Sequence, residues 1–544
     1  MARIRWAALA LISIAAAPLK AQSDQRDSGT ITIVIGAEPT LPIPTLSPAK
    51  QNVDVGSLLF LHLARMGKRL STTDERDFEP ELARSWSRRD SLTLAFDLDT
   101  RVHWHDGQPV TARDIVWSVN RVRDSATSPT YSLLLRDIAS VTSEGPSRVV
   151  FKYRRAYAEQ MYDAVWQVAP LPAHLLEHVP SASLATSSFA THPVGNGPYR
   201  YSRLEPGRLL ELVANPDFFL GRPKLERVIF LVVRGAEAQL NLMLDGTADA
   251  YEAPMLARQV TPVIAKPDLK IQTMPSFSFA YLLFNQKAYG VRSKPHPILA
   301  DPAVRRAITL AIDRQSLLRS TFGPYASLVD GPMGLASWIR RLTPKLPGYD
   351  RARAKTILAE RGWTDRDGDG VLEKDGQALV LRLNYPGTNL PRVTLAEPVQ
   401  QMLRQVGIRV DLVRLDGPIW AERRTKGEFD IDFSQTTLDP SPSGLVQSWS
   451  CAGIGGSNVA STCNPAFDRA LARATATVGD AGPAWRDAIR ALQDGTPAMF
   501  FYSPMAVIVT HARYRNVSFR PEAVWSDLWR WSVAPGRRIA RDER

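Results

Sequence analysis

A chain of 544 residues with a formal charge of +12, 44% hydrophobic and 22% charged, has the composition of a globular protein and excludes a disordered one. Its length exceeds the roughly 250–300 residues at which a single core stops growing, so at least two lobes are required. The excess of basic residues is scattered rather than gathered into a stripe, and no nucleic-acid partner is expected.

Arg3 and Arg5, the apolar run Trp6–Ala17 and the small residue Ala21 follow the order of a secretory signal peptide. Residues 1–21 are therefore expected to be cleaved, leaving a periplasmic protein that begins near Gln22. The run is shorter than the roughly 20 residues of a spanning helix, and no later stretch reaches that length. No cysteine follows it, which argues against a lipid anchor. Thr30–Ile35 reads as a first strand, and Leu92–Leu98 alternates as a half-buried strand does. Thr111 is placed to cap a helix running through Val119. Asp301 and Pro302 open the clearest helix, with Val304, Ile308, Ala311 and Ile312 on its apolar stripe and Arg305 and Arg306 off it. Val399–Val406 reads as a helix stopped by Gly407, before a strand Ile408–Leu412. Helices alternating with strands predict an α/β fold.

Three patterns carry chemistry. The close pair Cys451 and Cys463 in an exported chain predicts a disulfide across a glycine-rich loop, with free thiols as the alternative. Zinc is excluded by the lack of nearby histidines. Asp365, Asp367 and Asp369 stand at the spacing of a calcium loop, with Leu372 as its apolar plug, but position twelve is Gly376, so Glu373 or Asp375 would have to complete the set. An Asp/Gly-rich turn competes with this structural calcium; no other cofactor is expected. His103 and His105 share a strand face but are too few for a closed metal site. Neither Gly-x-Ser-x-Gly nor His-Glu-x-x-His occurs, whereas paired carboxylates leave glycosidase chemistry open.

Several segments share a different kind of likeness. Phe78-Glu79-Pro80-Glu81-Leu82-Ala83-Arg84-Ser85-Trp86 and the stretch from Trp104-His105-Asp106-Gly107 to Val119 come first. Val194-Gly195-Asn196-Gly197-Pro198-Tyr199, Asn215-Pro216-Asp217-Phe218-Phe219, Leu283-Phe284-Asn285, the helix from Asp301, Ala311-Ile312-Asp313-Arg314 and Tyr349-Asp350 follow. In this order, over nearly the whole mature chain, they resemble the family 5 extracellular solute-binding proteins, the peptide and nickel receptors of ABC importers. Asp313 and Arg314 read as a surface pair.

The resemblance implies a type II periplasmic binding protein: two lobes joined by a hinge, with an extra inserted domain and no enzymatic activity. One lobe would comprise residues 22–69, 194–274 and 510–544, with the insertion at 70–193. The other would span 275–509, and the chain would cross near Met274–Pro275 and Val509–Thr510. The expected role is capture of a peptide or other small solute by a monomer that hands it to an inner-membrane ABC permease. A secreted hydrolase, or a sensory or chaperone role, is the alternative. By family position, Ser276, Phe277, Ser278, Phe279, Tyr385, Thr436, Thr437 and Asp439 would face the solute. Dipeptide-binding relatives hold the peptide amine with an aspartate and its carboxylate with an arginine. Here Thr436 or Thr437 takes the aspartate's place, and Asn384-Tyr385-Pro386-Gly387 lacks the arginine. A free dipeptide is thus disfavoured, since buried termini without partners are costly.

Overall fold

The computed structural model describes residues 29–543 apart from 48, 128–131, 133, 254 and 255, and the expected signal peptide lies outside the described residues. One long sheet runs through the molecule in the order Arg409–Leu415, Val380–Pro386, Ile431–Thr437, Ser278–Phe284, Ala498–His511, Ala250–Ala253, Gly29–Ile35, Leu225–Val232, Leu209–Ala214, Tyr199–Glu205. Helices cover it, giving a mixed α/β architecture.

The strand Ala498–His511 is shared between two bodies. Its first part pairs with Ser278–Phe284, from Leu283 against Ala498 to Ala280 against Tyr502. Its last part pairs with Leu269–Pro275, from Pro275 against Met505 to Leu269 against His511. The chain therefore crosses at Pro275–Phe277 and again at Ser503–Met505. Pro275 and Pro504 have no amide hydrogen, and pairing on this side of the strand lapses between Tyr502 and Met505, while Ala326–Leu328 pairs with Tyr502–Pro504 on the other. Serine side chains fill the gap: Ser276 Oγ donates to Pro504 O at 2.6 Å, and Ser503 Oγ donates to Ser278 O at 2.6 Å. Val509, where the second crossing was expected, pairs instead with Tyr251 and Ile271 inside lobe 1. Gly334 packs onto the first crossing so closely that a Cβ there would lie 2.4 Å from Ser276 O and from Phe277 C.

The apolar cores follow this division. Lobe 1 is filled by Ile31, Phe96, Phe151, Phe230 and Trp525, and lobe 2 by one cluster around Leu282, Ile308, Leu383 and Phe433 and another around Phe279, Trp449, Trp485 and Phe500. A separate four-stranded sheet, Ala83–Asp90, Thr93–Leu98, Arg148–Tyr153 and Ile138–Ser143, lies within the segment read as the insertion. Asp301 caps the helix Pro302–Ala311 through Ala303 N at 2.9 Å. Thr111 is the N-cap residue of the helix Ala112–Val122, and Asp114 Oδ2 reaches back to accept from the Thr111 amide at 2.9 Å and from its hydroxyl at 3.0 Å. The helix read as Val399–Val406 begins earlier, at Leu390, where the Asn389 side chain caps it.

Arg305, read as lying off the apolar stripe, and Arg314, read as half of a surface pair, are both interior. Arg305 is 4% exposed and donates to the carbonyls of Leu299, Ala300, Gly495 and Thr496. Arg314 is 7% exposed and donates to Val329 O and Phe500 O, while Asp313 caps its own helix through Ser316 N. Each guanidinium is buried because carbonyls remote in sequence satisfy it.

Cys451 and Cys463 form a disulfide, and Asn458 braces the enclosed loop with bonds to Ser450 O at 2.8 Å and Thr462 O at 2.7 Å. Replacing both cysteines by serine is expected to lower stability by about 3 kcal/mol through loop-closure entropy. Urea unfolding followed by tryptophan fluorescence measures this; an unchanged midpoint would show that Asn458 alone holds the loop.

Candidate functional site

A cavity of about 510 Å³ opens between the lobes, directly on the two crossings. That volume lies within the roughly 300–1,000 Å³ of small-molecule sites. Its floor is Pro275, Ser276 and Phe277 with Pro504, Met505 and Ala506. The helix Lys50–Leu59 brings Lys50 and Asp54 to the lobe 1 wall, joined there by His62, Trp166 and Glu252, and lobe 2 contributes Ser278, Gln435, Thr437 and Asp439.

Of the residues singled out from sequence, Ser276, Phe277, Ser278, Thr437 and Asp439 line this cavity. The strand's period of two decides the others. Phe279 turns into the lobe 2 core, stacked on Tyr281 at 5.2 Å, one position away from Ser278. Thr436 points to the opposite side of its strand from Gln435 and Thr437, bonds Tyr281 Oη at 3.1 Å and lines a separate small cavity. Tyr385, 7% exposed, packs in the lobe 2 core. Lys50, Asp54, His62, Trp166 and Glu252 were not identified from sequence. The i,i+4 pair Lys50 and Asp54 was the one local signal available.

Charge on the lobe 1 wall is concentrated in one triad. Lys50 Nζ lies 2.5 Å from Asp54 Oδ2 and 2.9 Å from Glu252 Oε2. Burial opposes the ammonium, but the two carboxylates outweigh it and hold the Lys50 pKa above its ordinary value. Burial lifts that of Asp54 despite Lys50. His62 stacks on Trp166 at 4.7 Å, and burial lowers its pKa to about 4, so the ring is neutral at pH 7.

Opposite the crossings the lobes touch through hydroxyls and acids. The Tyr162 hydroxyl donates to Asp439 Oδ1, and Ser441 Oγ donates to Glu159 Oε2 at 2.8 Å. Thr72 Oγ1 donates to Glu159 Oε1 and accepts from Trp338 Nε1 at 3.1 Å, and Ala158 N donates to Thr477 O at 3.0 Å. Asp439 stays open to cavity water although protein surrounds it, and desolvation raises its pKa.

Elsewhere, the carboxylate oxygens of Asp365, Asp367, Asp369 and Glu373 lie within 4.8 Å of one another. Gly376 is held at φ +78° in the turn between Glu373–Lys374 and Gln377–Ala378, a conformation that favours glycine over the glutamate of a full calcium loop. His105 is structural: its Nδ1 accepts from Gly195 N at 3.1 Å, and Nε2 meets Gly197 O at 3.1 Å.

Residues 77–456 match the family model of the bacterial extracellular solute-binding proteins, family 5. The chain belongs to this family. The oligopeptide-binding protein AppA of Bacillus subtilis strain 168 is 29% identical over 425 residues, covering 76% of this chain and 74% of the relative. The structure of AppA from Bacillus subtilis in complex with a nonapeptide superposes with a TM-score of 0.77 at 25% identity, over 94% of this chain and 99% of that one. NikZ from Campylobacter jejuni in complex with Ni(L-His) has the same fold, with a TM-score of 0.79 at 23% identity over 92% of this chain and 99% of that one. The family 5 protein described here thus has the type II periplasmic binding protein fold and is a binding protein, not an enzyme; its relatives give no support to the hydrolase alternative. Among the described residues no helix is long and apolar enough to cross a membrane.

The acid cluster between the lobes makes stability depend on pH. Burial lifts Glu159 from an ordinary 4.5 to about 7, so between those values the folded protein holds a proton that the unfolded chain has released. Stability from this group is full below pH 4.5 and lost as pH rises through 7. Glu159→Gln is expected to be more stable than wild type at pH 8, by about 1–2 kcal/mol, with the gap closing towards pH 5. Denaturant melts at both pH values check this; a gap independent of pH would place the proton elsewhere.

Proposed function

We propose that this protein is a periplasmic receptor that encloses a peptide between its lobes and presents it to the inner-membrane permease of an ABC importer. It would be exported by a cleaved signal peptide and act as a monomer. Ser276, Phe277, Ser278, Thr437 and Asp439 would touch the solute. The observation that carries the reading is the position of the cavity: it rests on both crossings, so rotation about Pro275–Phe277 and Ser503–Met505 changes its width before anything else. The likeness to AppA, whose structure holds a nonapeptide, supports a peptide as the guest. A cleft that shuts by hinge motion also explains why the lobes meet through hydrogen bonds and not a dry apolar seam, since such contacts exchange with water at low net cost.

Native mass spectrometry of protein purified from its own periplasm, with identification of what is released on denaturation, tests the proposal. A co-purified peptide is expected; turnover of a peptide by the purified protein would sink it. Tyr162→Phe removes the bond to Asp439 across the mouth and is expected to disfavour the closed form by about 1–3 kcal/mol. Small-angle scattering without ligand should then show a larger radius of gyration than wild type.

The acidic loop is proposed as a structural calcium site, with Glu373 in place of the missing twelfth ligand. Millimolar calcium should raise the melting temperature of wild type and not of Asp367→Asn. Equal shifts in both would remove the ion from this loop.

A further inference from the structure

The cavity opposes the charge of the protein around it. The chain is formally +12, yet Asp54, Glu252, Asp439 and Glu522 line the cavity against a single ammonium, Lys50, and no arginine lines it among the described residues. Glu522 is neutralised from behind by Arg520, whose Nε lies 2.5 Å from its Oε1. Arg65, in the smaller chamber behind His62, is engaged by Glu79 at 2.8 Å and Asp527 at 3.2 Å. His62 is neutral at pH 7.

Lys50 is not free for an incoming anion, because it already bridges the carboxyl groups of Asp54 and Glu252. On the facing wall Asp439 has no cation at all. Its two hydrogen bonds, from the Tyr162 hydroxyl and from Ser441 N at 2.9 Å, both end on Oδ1, so Oδ2 has no partner among the described residues. Behind Tyr162 stand Glu159, bonded only by Thr72 and Ser441, and Asp163, bonded by the Tyr157 hydroxyl at 2.6 Å. The nearby Arg155 is paired with Asp137 at 2.7 Å. Carboxyl groups therefore face the cavity from both lobes, and the guanidinium groups of Arg520, Arg65 and Arg155 beside them are already paired.

In a half-dry cleft a free carboxylate on the solute would lose its water and gain no counter-charge, whereas an ammonium or guanidinium would meet acceptors on either side. Such a group also lowers the repulsion between the walls as they approach, so it favours the shut form over the open one.

We infer that the solute of this receptor is cationic, carrying more positive than negative charge in alkylammonium or guanidinium groups, and is held between Asp54 and Glu252 on lobe 1 and Asp439 on lobe 2. This rests on the reading of the protein as a solute receptor. A basic peptide and a polyamine share that chemistry, and the test separates them.

Isothermal titration of the full protein at pH 7.5 with four probes decides the matter: amidated Lys-Ala-Lys, amidated Ala-Ala-Ala, Glu-Ala-Glu with a free carboxylate, and spermidine. The amidated basic peptide is expected to bind about ten-fold or more tighter than the neutral one, with the difference shrinking as salt is added, and the acidic peptide not to bind. Tighter binding of spermidine than of the basic peptide would assign the cationic site to a polyamine. Glu252→Gln should reduce the preference for basic over neutral peptide by roughly ten-fold, and Lys50→Gln should increase it. The opposite signs keep the test decisive if one variant fails to fold. Equal affinities, or a preference for the neutral or acidic peptide, would overturn the cationic solute and leave the receptor reading standing. No binding of any probe, together with no solute in the native mass spectra, would remove both.

Discussion

Ala498–His511 is one strand whose halves belong to different lobes, and the freedom of the lobes is limited by what a hydrogen-bonded ladder tolerates at Ser503–Met505. The strand is paired on both sides at Tyr502 and from Val507 to Thr510, and mostly on one side elsewhere. At Pro504 and at Pro275 backbone donors are missing, and Ser276 and Ser503 supply side-chain bonds on that side, while Ala326–Leu328 pairs along the other. A side-chain bond can swing where a ladder bond cannot, so the proposed hinge motion would centre on these few residues. The close approach of Gly334 to Ser276 and Phe277 ties a lobe 2 loop to the same spot, and any larger residue there would push the crossing aside.

The cavity inherits its chemistry from this arrangement. Because both crossings form its floor, the apolar part is backbone-rich and contributed by prolines, Phe277 and Met505, while polar groups come from the walls. Lys50, Asp54 and Glu252 sit on one wall and Gln435, Thr437 and Asp439 on the other, so no ligand can satisfy both sets without drawing the lobes together. On the proposed function, specificity and closure would depend on the same side chains.

The α/β alternation, the caps at Asp301 and the family likeness were legible in the sequence because each depends on residues adjacent in the chain. Ser276, Ser278, Thr437 and Asp439 could be named from family position, but not which neighbours point elsewhere. Phe279 and Thr436 fall on the wrong face of their strands, and only the observed register fixes that phase. Lys50 and Glu252 meet across some two hundred positions of sequence, which no local pattern reports. Arg305 and Arg314 were misplaced for the same reason. An arginine between apolar residues looks solvated until the carbonyls of Gly495, Thr496 and Phe500 are seen to converge on it.

Lobe 1 is closed by partners from opposite regions of the chain. Tyr514 Oη donates to Thr30 O across 484 positions, and the buried Arg513 joins Asp249 and Asp542 beside the first strand. Lobe 2 is one uninterrupted stretch between the two crossings. During refolding it can nucleate alone, whereas its companion must wait for a long loop to close. The receptor is therefore expected to mature in two kinetic phases, the slower one set by the return of the 505–511 segment to its place beside Leu269–Pro275.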